Sequence, residues 1–319
     1  MAEPGLYPAQ IHAYARAARE GSLTVRTEML LAAWGYGKAD EEGPGAIEAR
    51  IVATGVEGGF GDDLLRLEGV KLMTDGGVSD RTAKLSQPYE NEPANTGTFV
   101  IPPDELAEHI RWVHDQGWPM DCHTCGDVAQ EAVVRAYVAV QAANPKPWLR
   151  HRVHHAYLPT AEALRLMAAH TIPALVSNPF LIHLGESFVV SLGEERAARI
   201  LPMRTYLDAG VPLAGSSDSP IADFNPWVGM AAAVNRTTVA GRVLGPEERI
   251  SAAEALRSYT LGGAYATGQE GKRGSIEPGK LADLVVLDRD PLGIPPEELA
   301  RVRPVATLLG GAWVFDERS

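Results

Sequence analysis

The chain has 319 residues, 45% hydrophobic and 22% charged, with a formal net charge of −12. That acidity repels phosphate backbones and anionic lipid, which argues against nucleic-acid and membrane-surface partners. No apolar run approaches the ~20 residues needed to cross a bilayer. The opening Met1-Ala2-Glu3-Pro4-Gly5-Leu6-Tyr7 shows neither a basic nor an apolar signal region, so a cytoplasmic protein is expected.

Taken in chain order, strands are predicted over residues 23–31, 69–74, 119–124, 150–155, 172–177 and 211–216. Each is short and bounded by Gly, Pro or polar residues, the pattern of parallel strands buried on both faces. Helices fall between them. Residues 104–116 carry Leu106, Ile110 and Val113 at helical spacing and stop at Gly117, a left-handed cap; residues 128–143 and 160–170 follow the same pattern. Ser251-Ala252-Ala253-Glu254 is a capping box opening a helix through Tyr259. Alternating β and α elements predict a parallel sheet. Candidate ligands at several strand ends favour a closed barrel over a doubly wound sheet. Six strands are recognised where a (β/α)8 barrel needs eight, so two are expected to be missing. Past residue 265 the texture changes. Residues 274–280 read as a turn, 281–287 as a strand, and 306–315 as another strand around Gly310-Gly311. The expected division is a partial barrel over 1–265 and a small β appendage over 266–319, whose few strands need partners.

Three strand ends carry metal-ligand residue types: Asp121-Cys122-His123-Thr124-Cys125-Gly126-Asp127, Arg152-Val153-His154-His155 and Gly215-Ser216-Ser217-Asp218-Ser219-Pro220. Residues 1–108 hold one histidine, His12, and no His-x-His pair. Cys122 and Cys125 have Cys-x-x-Cys spacing, but no second pair completes a four-thiolate zinc site, and two reduced, partly buried thiols are expected. Successive strand residues point to opposite faces, so only one of His154 and His155 is expected to face a barrel interior. Read alone, Lys71 is equally a ligand or a strand-end lysine paired with Asp75. Asp218 is equally a ligand or a helix N-cap. No Gly-x-Gly-x-x-Gly follows the first strand and no P-loop is present, which leaves nucleotide binding without support.

The series Val70-Lys71-Leu72-Met73-Thr74-Asp75-Gly76-Gly77, His123 with Gly126-Asp127, Arg152-Val153-His154-His155 and Gly215-Ser216-Ser217-Asp218 resembles the amidohydrolase superfamily. More narrowly it is similar to the YtcJ-like, amidohydrolase-3 group, and the stretch from Gly274 to Asp288 resembles the end of those enzymes. The resemblance implies an α/β (β/α)8 TIM-type barrel of the metal-dependent hydrolase kind. It implies one that is incomplete, lacking its first two strands, and followed by the C-terminal part of a small β-sandwich. His123 and His155 are the implied metal ligands after the fifth and sixth strands. Lys71, carboxylated, is the implied bridging ligand, and Asp218 the implied ligand and catalytic base. Imidazole and carboxylate donors suit zinc, manganese or iron, with zinc the first expectation, and the missing His-x-His implies at most one ion per chain. The implied reaction is hydrolysis of a C–N bond in a small amide or formamide by water activated at the metal. The alternative is a non-catalytic remnant or a subunit of a split amidohydrolase. The implied partners are a second copy of the chain or a complementing N-terminal segment. His154 stands where the family usually has Glu, and Arg81 is a candidate substrate contact.

Overall fold

The computed structural model describes residues 1–33, 49, 51 and 53–318. It begins with a parallel β–α–β unit: β1 (Ala2–Leu6), α1 (Pro8–Arg19) and β2 (Thr27–Ala32), with Ala2 opposite Glu28 and Leu6 opposite Leu31. β3 (Phe60–Gly61) flanks β4 (Leu65–Met73) in antiparallel fashion. There follow α2 (Pro103–Asp115), β5 (Met120–Thr124), α3 (Asp127–Ala143), β6 (Arg152–His155), α4 (Ala161–Ala169) and β7 (Ala174–Ser177). Helices α5 (Phe180–Leu192), α6 (Glu194–Ala198) and α7 (Met203–Asp208) lead to β8 (Leu213–Ser216), and α8 (Pro226–Asn235), α9 (Ala252–Arg257) and α10 (Gly263–Ala266) come after it. The sheet order is β1-β2-β4-β5-β6-β7-β8, every one of these pairs parallel, with β1 and β8 at its two ends.

Every residue of β2, β5, β6 and β7 is buried, as strands covered on both faces must be. Local signals end the helices as expected. Gly117 adopts φ +82 behind α2 and its N–H donates to His114 O at 3.0 Å. Thr160 Oγ1 accepts from Ala163 N at 3.0 Å to cap α4. Ser251 and Glu254 exchange the two hydrogen bonds of a capping box ahead of α9.

Two expectations are corrected. The sheet has seven parallel strands, so one strand of an eight-stranded barrel is lacking among the described residues, not two. The overlooked strand is β1, whose Pro4 and Gly5 are poor strand formers that an edge position tolerates. The second correction concerns the tail. Residues 306–315 are not one strand but a hairpin, β10 (Pro304–Leu309) and β11 (Ala312–Asp316), with β9 (Leu284–Leu287) on the other side of β10. Gly310 and Gly311 have φ +57 and +84, the two left-handed residues that a tight hairpin turn needs. Arg26 ties this small sheet to the start of β2 by a two-pronged pair with Asp283, at 2.6 and 2.9 Å.

Candidate metal centre

Register stacks the site in two rows. Lys71 lies opposite Asp121 and Asp121 opposite Arg152; two residues on, Met73 lies opposite His123 and His123 opposite His154. A spacing of two keeps both rows on one face of the sheet. In the lower row Lys71 Nζ donates to Asp121 Oδ1 at 2.9 Å, and Arg152 Nε reaches Asp121 Oδ2 at 3.3 Å. Arg152 also grips both oxygens of Glu68, at 3.0 and 2.6 Å, and donates to Ala266 O at 2.9 Å. Burial alone would raise the pKa of Asp121, yet His154, Lys71 and Arg152 hold it well below the usual carboxylate range.

In the upper row His154 Nδ1 sits 2.9 Å from Asp121 Oδ1, while its Nε2 is buried without a partner. His155 reaches the same place by another route. It has φ +67 and the next residue, Ala156, φ +49, so the chain turns out of β6 and the alternation of faces no longer applies. The expectation that only one of the two histidines faces the interior is therefore corrected: their ring centroids lie 4.4 Å apart, and those of His123 and His155 4.5 Å. His155 stacks on Phe180 at 5.9 Å and its Nδ1 lies 3.2 Å from Ser177 Oγ. Two groups of donors result, each with its atoms within 4.8 Å of one another: His123, Cys125 and His155, and His154, His155 and Asp218.

Burial, followed by the charge of Lys71, pushes His123 down to about 3; burial, followed by His154 and His123, holds His155 well below its ordinary value. Both imidazoles are thus neutral near pH 7, the form that coordinates a metal. Of the four residues expected to form the site, His155 meets Asp218 in one group and His123 in the other. Lys71 is buried below them in the row of Asp121, not beside Asp75. Asp75 instead accepts the backbone N–H groups of Lys84, Cys125 and Gly126 at 2.8–3.0 Å, which fixes the turn from β5 into α3. Its own pKa rises to about 7 because burial outweighs those bonds. A Cβ on Gly126 would stand 1.9 Å from Lys84 O, so only glycine lets the chain pass. Cys122 and Cys125 are free thiols, fully rather than partly buried, and burial raises the pKa of both. Arg81 pairs with Glu92 and donates to Val190 O at 3.2 Å, so its guanidinium fastens its own loop.

The amidohydrolase-family model, Amidohydro_3, matches residues 1–315. The chain belongs to this family. It is 30% identical over 252 residues to the putative amidohydrolase YtcJ of Bacillus subtilis, covering 78% of this chain and 47% of that protein. It is 38% identical over 196 residues to the N-substituted formamide deformylase of Arthrobacter pascens, covering 61% of this chain and 36% of that one. The chain thus spans less than half the length of these curated relatives. Among solved structures, a metal-dependent hydrolase of Pyrococcus horikoshii aligns with a TM-score of 0.79 at 27% identity, over 93% of this chain and 57% of that one. One from Pyrococcus furiosus aligns with a TM-score of 0.75 at 30% identity, over 91% and 56%.

For this family member the donor set fits a divalent metal: neutral imidazoles and one carboxylate converge, and an orphaned imidazole nitrogen lies among them. Sequence reading quoted Asp121 without a role, set Cys125 aside as a reduced thiol, passed over Asn178, and rated His154 only as a rival of His155. Asp121 was recoverable, because it stands two residues before His123 and so shares its face. Asn178, whose Oδ1 is buried without a partner just past β7, carries no signal in the sequence.

Proposed function

We propose that this chain carries the metal-binding part of a hydrolase that cleaves the C–N bond of a small amide or formamide, with zinc as the metal and the cytoplasm as its compartment. One observation supports this above the rest: neutral imidazoles and Asp218 converge at the carboxyl ends of seven parallel strands, where barrel enzymes assemble their active sites. The similarity to the N-substituted formamide deformylase of Arthrobacter pascens supports the formamide class. His155 and Asp218 would hold the ion together with a further imidazole, His123 or His154, joined by Lys71 only if it is carboxylated; as an ammonium it stays paired with Asp121. A divalent metal bound there supplies a Lewis acid for the carbonyl and lowers the pKa of water toward ~7. The protein does the rest. Asp218, partly exposed past the end of β8, accepts a proton from the attacking water and returns it to the leaving nitrogen as the C–N bond breaks. Phe180 and Tyr157 wall off the side of His155, which keeps that imidazole dry and neutral.

The test is amine release from N-formyl and N-acyl amines by the full chain loaded with zinc. Turnover that depends on the metal and falls at least ~10²-fold in Asp218→Asn, with an unchanged melting temperature, is the expected result. A metal-loaded chain with no turnover would instead favour a subunit that needs a partner segment. The unjoined strands β1 and β8 support that second reading, since open sheet ends invite pairing.

A further inference from the structure

We infer that His154 is a metal ligand, oriented by Asp121, for an ion held among His154, His155 and Asp218. This rests on the metal-dependent reading above and names a ligand and an orienting group for it. The Asp121 carboxylate is an acceptor, so the contact at 2.9 Å places the His154 proton on Nδ1 and leaves Nε2 with a bare lone pair. That lone pair is buried on a residue only 4% exposed and has no donor near it. A buried acceptor without a donor is costly unless something electropositive occupies the space before it.

Asp121 is itself fixed at both oxygens, by Lys71 Nζ at 2.9 Å and Arg152 Nε at 3.3 Å. A carboxylate so fixed locks the tautomer and the ring plane of the imidazole it holds, the arrangement that makes histidine a strong ligand. His155 Nδ1 faces Ser177 Oγ at 3.2 Å, a hydroxyl able to accept its proton, and Nε2 is then left for an ion. Asp218 adds a carboxylate, and the three donor atoms lie within 4.8 Å of one another. His123 is placed differently. Its Nε2 lies 3.2 Å from Gly76 O, and a carbonyl only accepts, so that nitrogen carries a proton and Nδ1 is the one left for an ion, in the separate donor group with Cys125 and His155. Cys125 Sγ stands 3.3 Å from the same nitrogen. Two nitrogens and one oxygen make a site for zinc or a similar divalent cation.

The experiment measures zinc affinity of the stripped full-length chain by competition with a chromogenic chelator, and the spectrum of its cobalt-loaded form. The expected result is one equivalent bound, weakened by at least about tenfold in His154→Gln and roughly 10–100-fold in Asp121→Asn. The cobalt form should show no sulfur-to-cobalt charge-transfer band. Because Asp121→Asn also disturbs the pairs with Lys71 and Arg152, His154→Gln decides, with metal-free melts matching wild type as its control. Undiminished affinity in His154→Gln overturns the inference and leaves the metal-dependent reading standing. So does a strong sulfur-to-cobalt band, which would put the ion on Cys125. A wild-type chain that takes up neither zinc nor cobalt overturns both.

Discussion

Asp121 and Arg152 stand two residues below His123 and His154 on β5 and β6, and all four side chains are buried. The lower row keeps its charges because each finds an opposite one: Lys71 and Arg152 on Asp121, Glu68 on Arg152. The upper row has few such partners, and burial keeps His123 and His155 neutral. Equal burial therefore gives a rigid ionic floor in one row and a set of open lone pairs in the other. What separates structure from chemistry here is partnering, not depth.

The comparison breaks most readily from below. Arg152→Ala leaves Glu68 buried without its guanidinium partner and Asp121 with Lys71 and His154 alone, and should cost about 3–5 kcal/mol in denaturant unfolding. A smaller loss would mean that water reaches the floor and that the two rows differ less than their geometry states.

A third histidine pair, His114 and His151, sharpens the contrast, since it is buried yet fully bonded. Met120 N–H donates to His151 Nδ1 at 3.1 Å, so His151 Nε2 carries the proton toward His114 Nδ1 at 2.9 Å, and His114 Nε2–H donates to Asn144 O at 2.7 Å. Burial, followed by His114 and Arg152, pushes His151 down to about 3 from its ordinary 6.5. The unfolded chain then binds the extra proton first. Stability is unaffected by this group above pH 6.5 and falls between pH 6.5 and 3, with a slope on the order of 1.4 kcal/mol per pH unit. Unfolding curves of metal-free protein from pH 7 to 4.5 should show the fall, to which His123 and His155 also contribute, and His151→Leu should make it shallower while lowering stability at pH 7.

Gly126→Ala drives a methyl into Lys84 O and displaces the end of β5 that carries His123 and Cys125. It should cost about 1–3 kcal/mol while sparing the ionic floor. Thr160→Ala, far from both rows, should lose about 1 kcal/mol by removing the α4 cap and leave metal affinity unchanged, which sets the baseline for the others.

Much of this was legible in the sequence where the cause is local. The buried strands β4 to β8, the stop at Gly117, the capping box at Ser251 and the loop-to-helix turn at Gly126 follow from composition, periodicity and the few residues that tolerate special backbone angles. β1 was missed because its sequence, Ala2-Glu3-Pro4-Gly5-Leu6, carries no strand propensity and is held by pairing with β2 alone. The Gly310-Gly311 hairpin was read as one strand because a break of two glycines looks the same whether the chain bends or reverses.

By itself the sequence determined the alternating fold, the family, and which strand ends carry imidazole and carboxylate groups. Only tertiary structure decided how those groups share the work. Lys71 turned to Asp121 and not to Asp75, because strand register sets neighbours across β4 and β5 that sequence separation hides. His155 joined His154 on one face because a left-handed backbone ends β6, and no rule of alternation survives past a strand's last residue.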